Sequence, residues 1–385
     1  MARVSIVKTQ EDCCTALGKA LDDIQERVIA FGDHVLIKPN LVEPADPESG
    51  QISTPRVIEA VARYCLDCGA SKVIIGEGPG YYQPSSYLRD CFTLTGVAEV
   101  ADRLGIPWVL FDEHEYRTFP MVPDCIPREF RITEFAFNCD KFINLPVLKT
   151  HWLTTVTLAM KNLKGCLKRE DKPLFHRQDI NRAIVELNKI VRPSLNIIDG
   201  TPKTTVRQLG TGYSFQKKTN GGLLIISSDI VSTDAVGSAL MGIDPASVPT
   251  VALGAASGLG EGNLTRIDII GEEVNRLKFK LRLPQEELKE SFPFLEIIGA
   301  EKACSGCLIP LLSALDFLRE RGVKCEEPLK VYIGQKPREA GTRTGFVIGD
   351  CAIVKDANEA GSVPGCPPDR QQVLSRLISL FNISL

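Results

Sequence analysis

The chain has 385 residues, 44% hydrophobic and 24% charged, with Lys plus Arg (45) nearly balancing Asp plus Glu (48) for a net charge of −3. This composition excludes a mainly disordered chain, and at about 150 residues per domain the length points to two or three domains. Nucleic acid is not an expected partner without a basic excess. No apolar run approaches the roughly 18–20 residues of a membrane span, and the opening MARVSIVKTQEDCC lacks a secretory h-region. A cytoplasmic location is therefore expected.

Val35–Ile37 is a β-prone run halted at Lys38-Pro39-Asn40, because proline cannot donate to a sheet. Ser53-Thr54-Pro55 has the hydroxyl-then-proline order of a helix start, and that helix runs to Gly69 as its left-handed terminator. Val73–Ile75 then forms a strand that breaks into Gly76-Glu77-Gly78-Pro79-Gly80, completing one βαβ unit. The alternation continues with a helix at Val97–Leu104, strands at Trp108–Phe111 and Phe142–Leu145, and a helix at Thr155–Leu163. Next come a helix at Ile180–Val191, strands at Leu195–Ile198 and Leu223–Ile226, and a helix from about Thr233 to Met241. The pattern predicts an α/β fold with a mostly parallel sheet, helices on both faces, and ligand groups at the carboxyl ends of the strands.

Ile267–Leu295 reads as a linker or peripheral hairpin. It divides an α/β domain (1–295) from a small C-terminal α/β module (296–385). The module is expected to hold a helix at Leu308–Arg321, strands at Leu329–Ile333 and Gly345–Ile348, and a final helix at Arg370–Phe381.

Thirteen cysteines in a chain expected to sit in a reducing compartment call for a metal or redox reading before a disulfide one. The strongest pattern is Cys304-x2-Cys307, then Cys351 in Gly-Asp-Cys-Ala, then Cys366 in Pro-Gly-Cys-Pro-Pro. A C-x2-C loop supplies two thiolates and two later loops supply one each, which suits a [4Fe–4S] cluster. Structural zinc and inert buried thiols are the alternatives, although zinc ribbons usually present two C-x2-C knuckles. Cys325, on a polar stretch between these positions, reads as a bystander. Cys65-x2-Cys68 and Cys13-Cys14 fall inside predicted helices and read as packed thiols.

A second constellation lies at predicted strand ends: Lys38 and Asn40, Lys149 and His151, and Lys161, Asn162 and Lys164. Lysines that interrupt apolar runs normally reach solvent or an anion, because burying the charge alone is costly. Together they predict a pocket for a phosphate or carboxylate, with solvated lysines at element ends as the alternative. Glu77 and Asp199, each just past a strand, are candidates to orient groups or hold a divalent ion, and Asp229 and Asp234 could face the same crevice. Asp234 is most simply explained as first-turn charge of the helix after it. His34 and His176 show no partner in the sequence and read as structural. The Gly-Glu-Gly-Pro-Gly loop lacks the G-x-G-x-x-G spacing, and no G-x4-G-K-[ST] loop occurs, which disfavours the common nucleotide folds.

The runs ACSGC, GDCA and VPGCPP resemble the proximal-cluster pattern of nickel–iron hydrogenase small subunits and the related quinone-reductase subunit. That resemblance implies cluster ligands at Cys304, Cys307, Cys351 and Cys366. It does not carry hydrogen activation, because the chain holds no nickel-binding large subunit. The motifs IKPNLV, STPRVIEAV, GEG, NLPVLKTH, TLAMKNLKG, IIDG and STDAVGSALMGIDP, in this order from Val35 to Pro245, resemble domain-of-unknown-function family 362. That family is commonly found with iron–sulfur cysteines, often as an attached two-cluster ferredoxin domain. Here a single-cluster module stands in its place.

The expected function is an oxygen-sensitive iron–sulfur redox protein, an oxidoreductase exchanging single electrons with a small anionic substrate or bound cofactor. Lysines would fix the anion, and Lys149 or His151 would handle protons. Two other readings remain open. One is an electron carrier that docks a redox partner protein; the other is a non-redox transferase or ligase with a structural cluster.

Overall fold

The computed structural model describes residues 1–9, 12–80, 85–176, 179–202, 204–210, 213–218, 221–281, 283, 286, 290, 292–323, 328–335, 337–338, 345–354 and 361–380. Cys325 lies outside them. The elements of the main sheet are β1 (Ala2–Lys8), α1 (Cys13–Ile24), β2 (His34–Lys38), α2 (Pro55–Asp67), β3 (Lys72–Glu77), α3 (Ser85–Leu94), α4 (Val97–Leu104) and β4 (Trp108–Leu110). They continue with β5 (Lys141–Asn144), α5 (Ala159–Asn162), α6 (Ile180–Ile190), β6 (Leu195–Gly200), β7 (Leu223–Ser227), α7 (Ile230–Leu240), α8 (Pro249–Ala256) and β8 (Ile267–Gly271).

Eight strands pair in the order β8-β1-β7-β6-β5-β2-β3-β4. All neighbours are parallel except β7, which runs antiparallel to both β1 and β6. Both faces are covered, so the strands read as nearly continuous apolar runs. Side-chain alternation along β2 divides the two cores: Val35 and Ile37 pack under α1 and α2, whereas Leu36 faces the layer with α6 and α7. Register places Lys38 opposite Asn144, so the polar residues that end β2 and β5 share one edge.

Three sequence expectations change. Thr155–Leu163 is not one helix: Thr155–Val156 pairs back on Thr150–His151, and only Ala159–Asn162 is α-helical before a 3-10 turn over Leu163–Cys166. The helix starts late because Asp234, from α7, accepts the Ala159 and Met160 amides at 2.6 and 3.1 Å. Asp234 is thus not first-turn charge of its own helix, which Asp229 caps instead. Ile267–Gly271, within the stretch read as a linker or peripheral hairpin, is an edge strand parallel to β1.

The C-terminal module is a four-stranded parallel sheet of β9 (Leu295–Ile298), β10 (Leu329–Tyr332), β11 (Gly345–Ile348) and β12 (Ser362–Val363), with helices α9 (Ser305–Glu320) and α10 (Arg370–Leu380). Leu295 already pairs with Leu329, and Phe292 packs in the module core, so the module starts slightly before the expected break after residue 295. Trp152, from the first domain, is buried in the same core as Cys307, Leu308 and Leu311. Among the described residues, no helix is long and apolar enough to cross a membrane.

Candidate functional site

The site is built on the carboxyl ends of β2, β3 and β5. Lys38 closes β2 and Glu77 closes β3, and their side chains meet at 2.8 Å with 0% and 3% exposure. Lys38 also donates to the Pro39 carbonyl at 3.0 Å, and the second Glu77 oxygen accepts the Gly78 amide at 2.9 Å. Gly165 passes directly over this pair; a Cβ there would press on Glu77 Oε1 and on Lys38 Cε and Nζ. A hydrogen-bonded pair of this kind keeps both charges inside the protein, where either alone would be expensive.

A directional amide relay fixes the next layer. Lys149 Nζ donates to Asn40 Oδ1 at 2.8 Å and to the Gln51 carbonyl at 2.7 Å. Asn40 Nδ2 donates to Asn162 Oδ1 (2.9 Å), Asn162 Nδ2 to Asn144 Oδ1 (2.8 Å), and Asn144 Nδ2 to Asn196 Oδ1 (3.0 Å). Backbone carbonyls fix the direction: Asn144 Nδ2 also donates to the Ala159 carbonyl at 3.0 Å and Asn162 Nδ2 to the Pro39 carbonyl at 3.4 Å, which leaves each Oδ1 to accept.

Above these layers lies a cavity of about 120 Å³, lined by Lys38, Asn40, Glu77, His151, Lys161, Asn162, Lys164, Lys172 and His176 among others. Lys38 is matched by Glu77; among the described residues, no carboxylate lies within ion-pair distance of Lys161, Lys164 or Lys172. Lys164 Nζ lies 2.8 Å from His176 Nε2, and Lys172 Nζ donates to the Pro79 carbonyl. Burial pushes Lys164 down to about 7, helped by Lys172 and opposed by the neighbouring Cys304. Burial likewise takes Lys172 to about 8 and, with Lys164 and Lys149 nearby, Lys161 well below the usual lysine range. His151 and His176 are held well below the ordinary histidine value by burial and then by the surrounding lysines. The His151 Nδ1 accepts the Leu153 amide at 3.0 Å, which places the proton of the neutral ring on Nε2. The arrangement is a desolvated cationic chamber, and an anion is the partner that would relieve it.

Seven of the residues proposed from sequence therefore line one cavity: Lys38, Asn40, Glu77, His151, Lys161, Asn162 and Lys164. Lys149 is not in the lining; it stands behind Asn40, and burial lowers it to about 7. Asp199 is also elsewhere. Its Oδ2 accepts the Thr54 amide (2.7 Å) and hydroxyl (2.8 Å), and its Oδ1 accepts the Thr201 amide (2.9 Å) and hydroxyl (2.6 Å). The Thr54 hydroxyl thus points to Asp199, and Thr54 makes no side-chain cap hydrogen bond on α2. With Glu77 paired to Lys38 and Asp199 accepting four hydrogen bonds, neither carboxylate is set up for a divalent ion. His176, read from sequence as structural, lines the cavity, and so does Lys172, which the sequence did not single out. Both sit in or beside a 3-10 segment, Arg169–His176, whose spacing shows no regular face.

The four cysteines gather at the carboxyl edge of the second sheet. Cys304 precedes α9, Cys307 lies in its first turn, Cys351 follows β11 and Cys366 follows β12. The Gly349 amide donates to the Val363 carbonyl at 2.9 Å and the Gly365 amide to Asp350 Oδ1 at 2.7 Å, joining the last two loops. Gly349 has φ +82°, and a Cβ there would press on Cys307 Sγ, so this backbone runs against the first cysteine pair. A hydrogen bond with Cys304 pushes the Cys307 thiol up, followed by burial and by the proximity of Cys304, Cys351 and Cys366. The thiols converge but do not form a closed set: among the described residues, no group of three or more His, Cys, Asp or Glu stands ready to hold a metal ion. Four soft thiols on three neighbouring loops are ligands for an iron–sulfur cluster or for zinc rather than for a hard divalent cation.

A curated relative, the thylakoid-associated protein sll1697 of Synechocystis sp., is 30% identical over 310 residues, covering 79% of this chain and 88% of that protein. Among solved structures, the lactate racemase apoprotein from Thermoanaerobacterium thermosaccharolyticum is similar over 58% of this chain with a TM-score of 0.36 and 13% identity, and the match spans 55% of that protein's length. The profile of the family described as Domain of unknown function (DUF362) matches residues 35–239, the stretch that carries the whole cationic chamber. The chain belongs to the DUF362 family.

Proposed function

We propose that this chain is an iron–sulfur redox protein that holds a small anion in the lysine chamber and a single [4Fe–4S] cluster at Cys304, Cys307, Cys351 and Cys366. The observation that carries the reading is the closeness of the two centres. Cys304 lies near enough to Lys164 to favour its charged form, and Trp152, the residue after His151, packs in the core with Cys307. A bound cluster would supply one-electron chemistry at that shared wall. Lys161, Lys164 and Lys172 would bind and orient the anion, and His151 would present its Nε2 proton to it. The cavity of about 120 Å³ is well below the roughly 300–1,000 Å³ of drug-sized sites, which favours a compact anionic group over a nucleotide.

The test is anaerobic reconstitution of the whole chain with iron and sulfide, followed by electron paramagnetic resonance of the reduced protein with and without sulfate. The reading expects about four irons per chain, loss of the brown colour in Cys366→Ala, and a cluster signal that shifts when sulfate binds. Iron-free protein after reconstitution would sink it. A full iron complement with a signal indifferent to sulfate would favour an electron carrier instead, a reading supported by the exposure of Cys351 and Cys366.

A further inference from the structure

The lysines in and around the chamber differ in what their side-chain nitrogens can donate to. Lys38 is bound to Glu77 and the Pro39 carbonyl, and Lys149 to Asn40 Oδ1 and the Gln51 carbonyl. Lys172 donates to the carbonyls of Pro79 and Gly165, and Lys164 lies against His176 Nε2. Lys161 is the exception. Among the described residues its Nζ has one hydrogen-bond partner, the Thr157 hydroxyl at 3.4 Å. The side chain is half-buried rather than closed off, and it lines the cavity. An ammonium has three protons to place, so one removed from water with a single weak acceptor gives up its charge and stands as a free amine. Beside the charge it can take up when a plain anion arrives, such an amine is a nucleophile toward a carbonyl carbon. His151 lines the same cavity with its proton on Nε2, and Lys161 is the charged group that acts on it most.

We propose that Lys161 is the attachment point for a small oxo acid, forming an imine with its carbonyl carbon while Lys164 and Lys172 hold its carboxylate. The inference rests on the anion reading above and narrows the anion to a carboxylate with an aldehyde or ketone beside it. In the step, the Lys161 nitrogen adds to the carbonyl carbon, and its two amine hydrogens leave with the carbonyl oxygen as water. A C=O bond is exchanged for C=N, and nothing is oxidised or reduced. His151 can give its Nε2 proton to the departing oxygen and recover one from the nitrogen. The cavity of about 120 Å³ suits an acid of only a few carbons.

The experiment treats the whole chain with glyoxylate or pyruvate and sodium cyanoborohydride, which reduces imines to stable secondary amines, and locates the modified lysine by peptide mass spectrometry. Lys161 is expected to be labelled about tenfold faster than any exposed lysine, because the carboxylate contacts hold the carbonyl beside it. Excess sulfate, which competes for the same lysines, should suppress that labelling. Acetone, which has the carbonyl without the carboxylate, should show no preference for Lys161. Lys161→Arg should lose the chamber adduct, with thermal unfolding to establish that it is folded; the parent chain decides the matter even if it is not. Sulfate binding with Lys161 labelled no faster than exposed lysines, or with Lys164 or Lys172 labelled in its place, overturns the imine site alone. Labelling of Lys161 that sulfate does not suppress, or that acetone matches, overturns the oxo-acid assignment. Absence of sulfate binding overturns the anion chamber, and this proposal with it.

Discussion

Lys38 and Glu77 end two neighbouring parallel strands and form a 2.8 Å ion pair buried from solvent, with Gly165 packed over it. Because each charge is tolerated only through the other, Glu77→Gln should destabilise the chain by about 3–5 kcal/mol in denaturant unfolding. The double variant Glu77→Gln with Lys38→Met should recover much of that loss, since it leaves no unpaired charge. If the single and double variants were equally destabilised, the pair would not be the source of the cost.

Gly165→Ala tests the same layer by packing. Its methyl group would meet both partners of the ion pair, so either the pair or the turn after α5 must move. We expect sulfate affinity to fall by about tenfold or more, read by calorimetry. An unchanged affinity would mean that the turn yields without disturbing Lys38 or Lys164.

Anion binding should take up protons. Lys164 and Lys172 sit at about 7 and about 8 in the anion-free chain because burial disfavours their charge, and a bound anion restores the charged forms. Sulfate does not titrate in this range, so its affinity should be flat below about pH 7 and fall as pH rises above it. Without an anion the folded state holds fewer protons than the unfolded chain between about pH 7 and the ordinary lysine value of 10.5, so stability should increase with pH across that window. Sulfate should flatten that increase. Thermal unfolding from pH 6 to 9, with and without sulfate, checks both signs.

Lysines at similar strand ends should behave differently. Lys161→Met removes a cation from the cavity lining and should abolish most sulfate-induced thermal stabilisation without lowering the sulfate-free melting temperature. Lys149→Met instead strips a donor from Asn40 Oδ1 and the Gln51 carbonyl, so it should lower intrinsic stability by about 2–4 kcal/mol. Equal effects from both variants would contradict this division.

Asp199→Asn should act on the fold alone. One of its two oxygens becomes an amide that faces amide and hydroxyl donors from Thr54 or Thr201, costing about 2–3 kcal/mol. Sulfate affinity of the folded variant should match that of the parent.

Much of the architecture was legible along the chain, because apolar runs closed by proline or glycine mark strands and helices locally. Val35–Ile37, Val73–Ile75 and the helix Val97–Leu104 all lie where periodicity puts them. The lysines of Leu148-Lys149-Thr150-His151 and Met160-Lys161-Asn162-Leu163-Lys164 were conspicuous as charges interrupting apolar segments. What their spacing does not encode is which ones face one another. Lys149 turns out to orient an asparagine from behind the cavity, while Lys172 and His176, in a segment without regular period, complete its wall. Asp234 reaches across from another helix to start α5, and Asp199 holds Thr54 from a distant strand.

The sequence alone therefore determined the alternation of strands and helices, the cysteine spacing and the family, since each depends on neighbours in the chain. Only the tertiary structure decided which carboxylate pairs with which lysine, and that His176 of the cationic chamber shares a second cavity with Ala303, the neighbour of Cys304. Those relationships arise from parallel strands whose ends meet only after distant segments have packed, so no local pattern contains them.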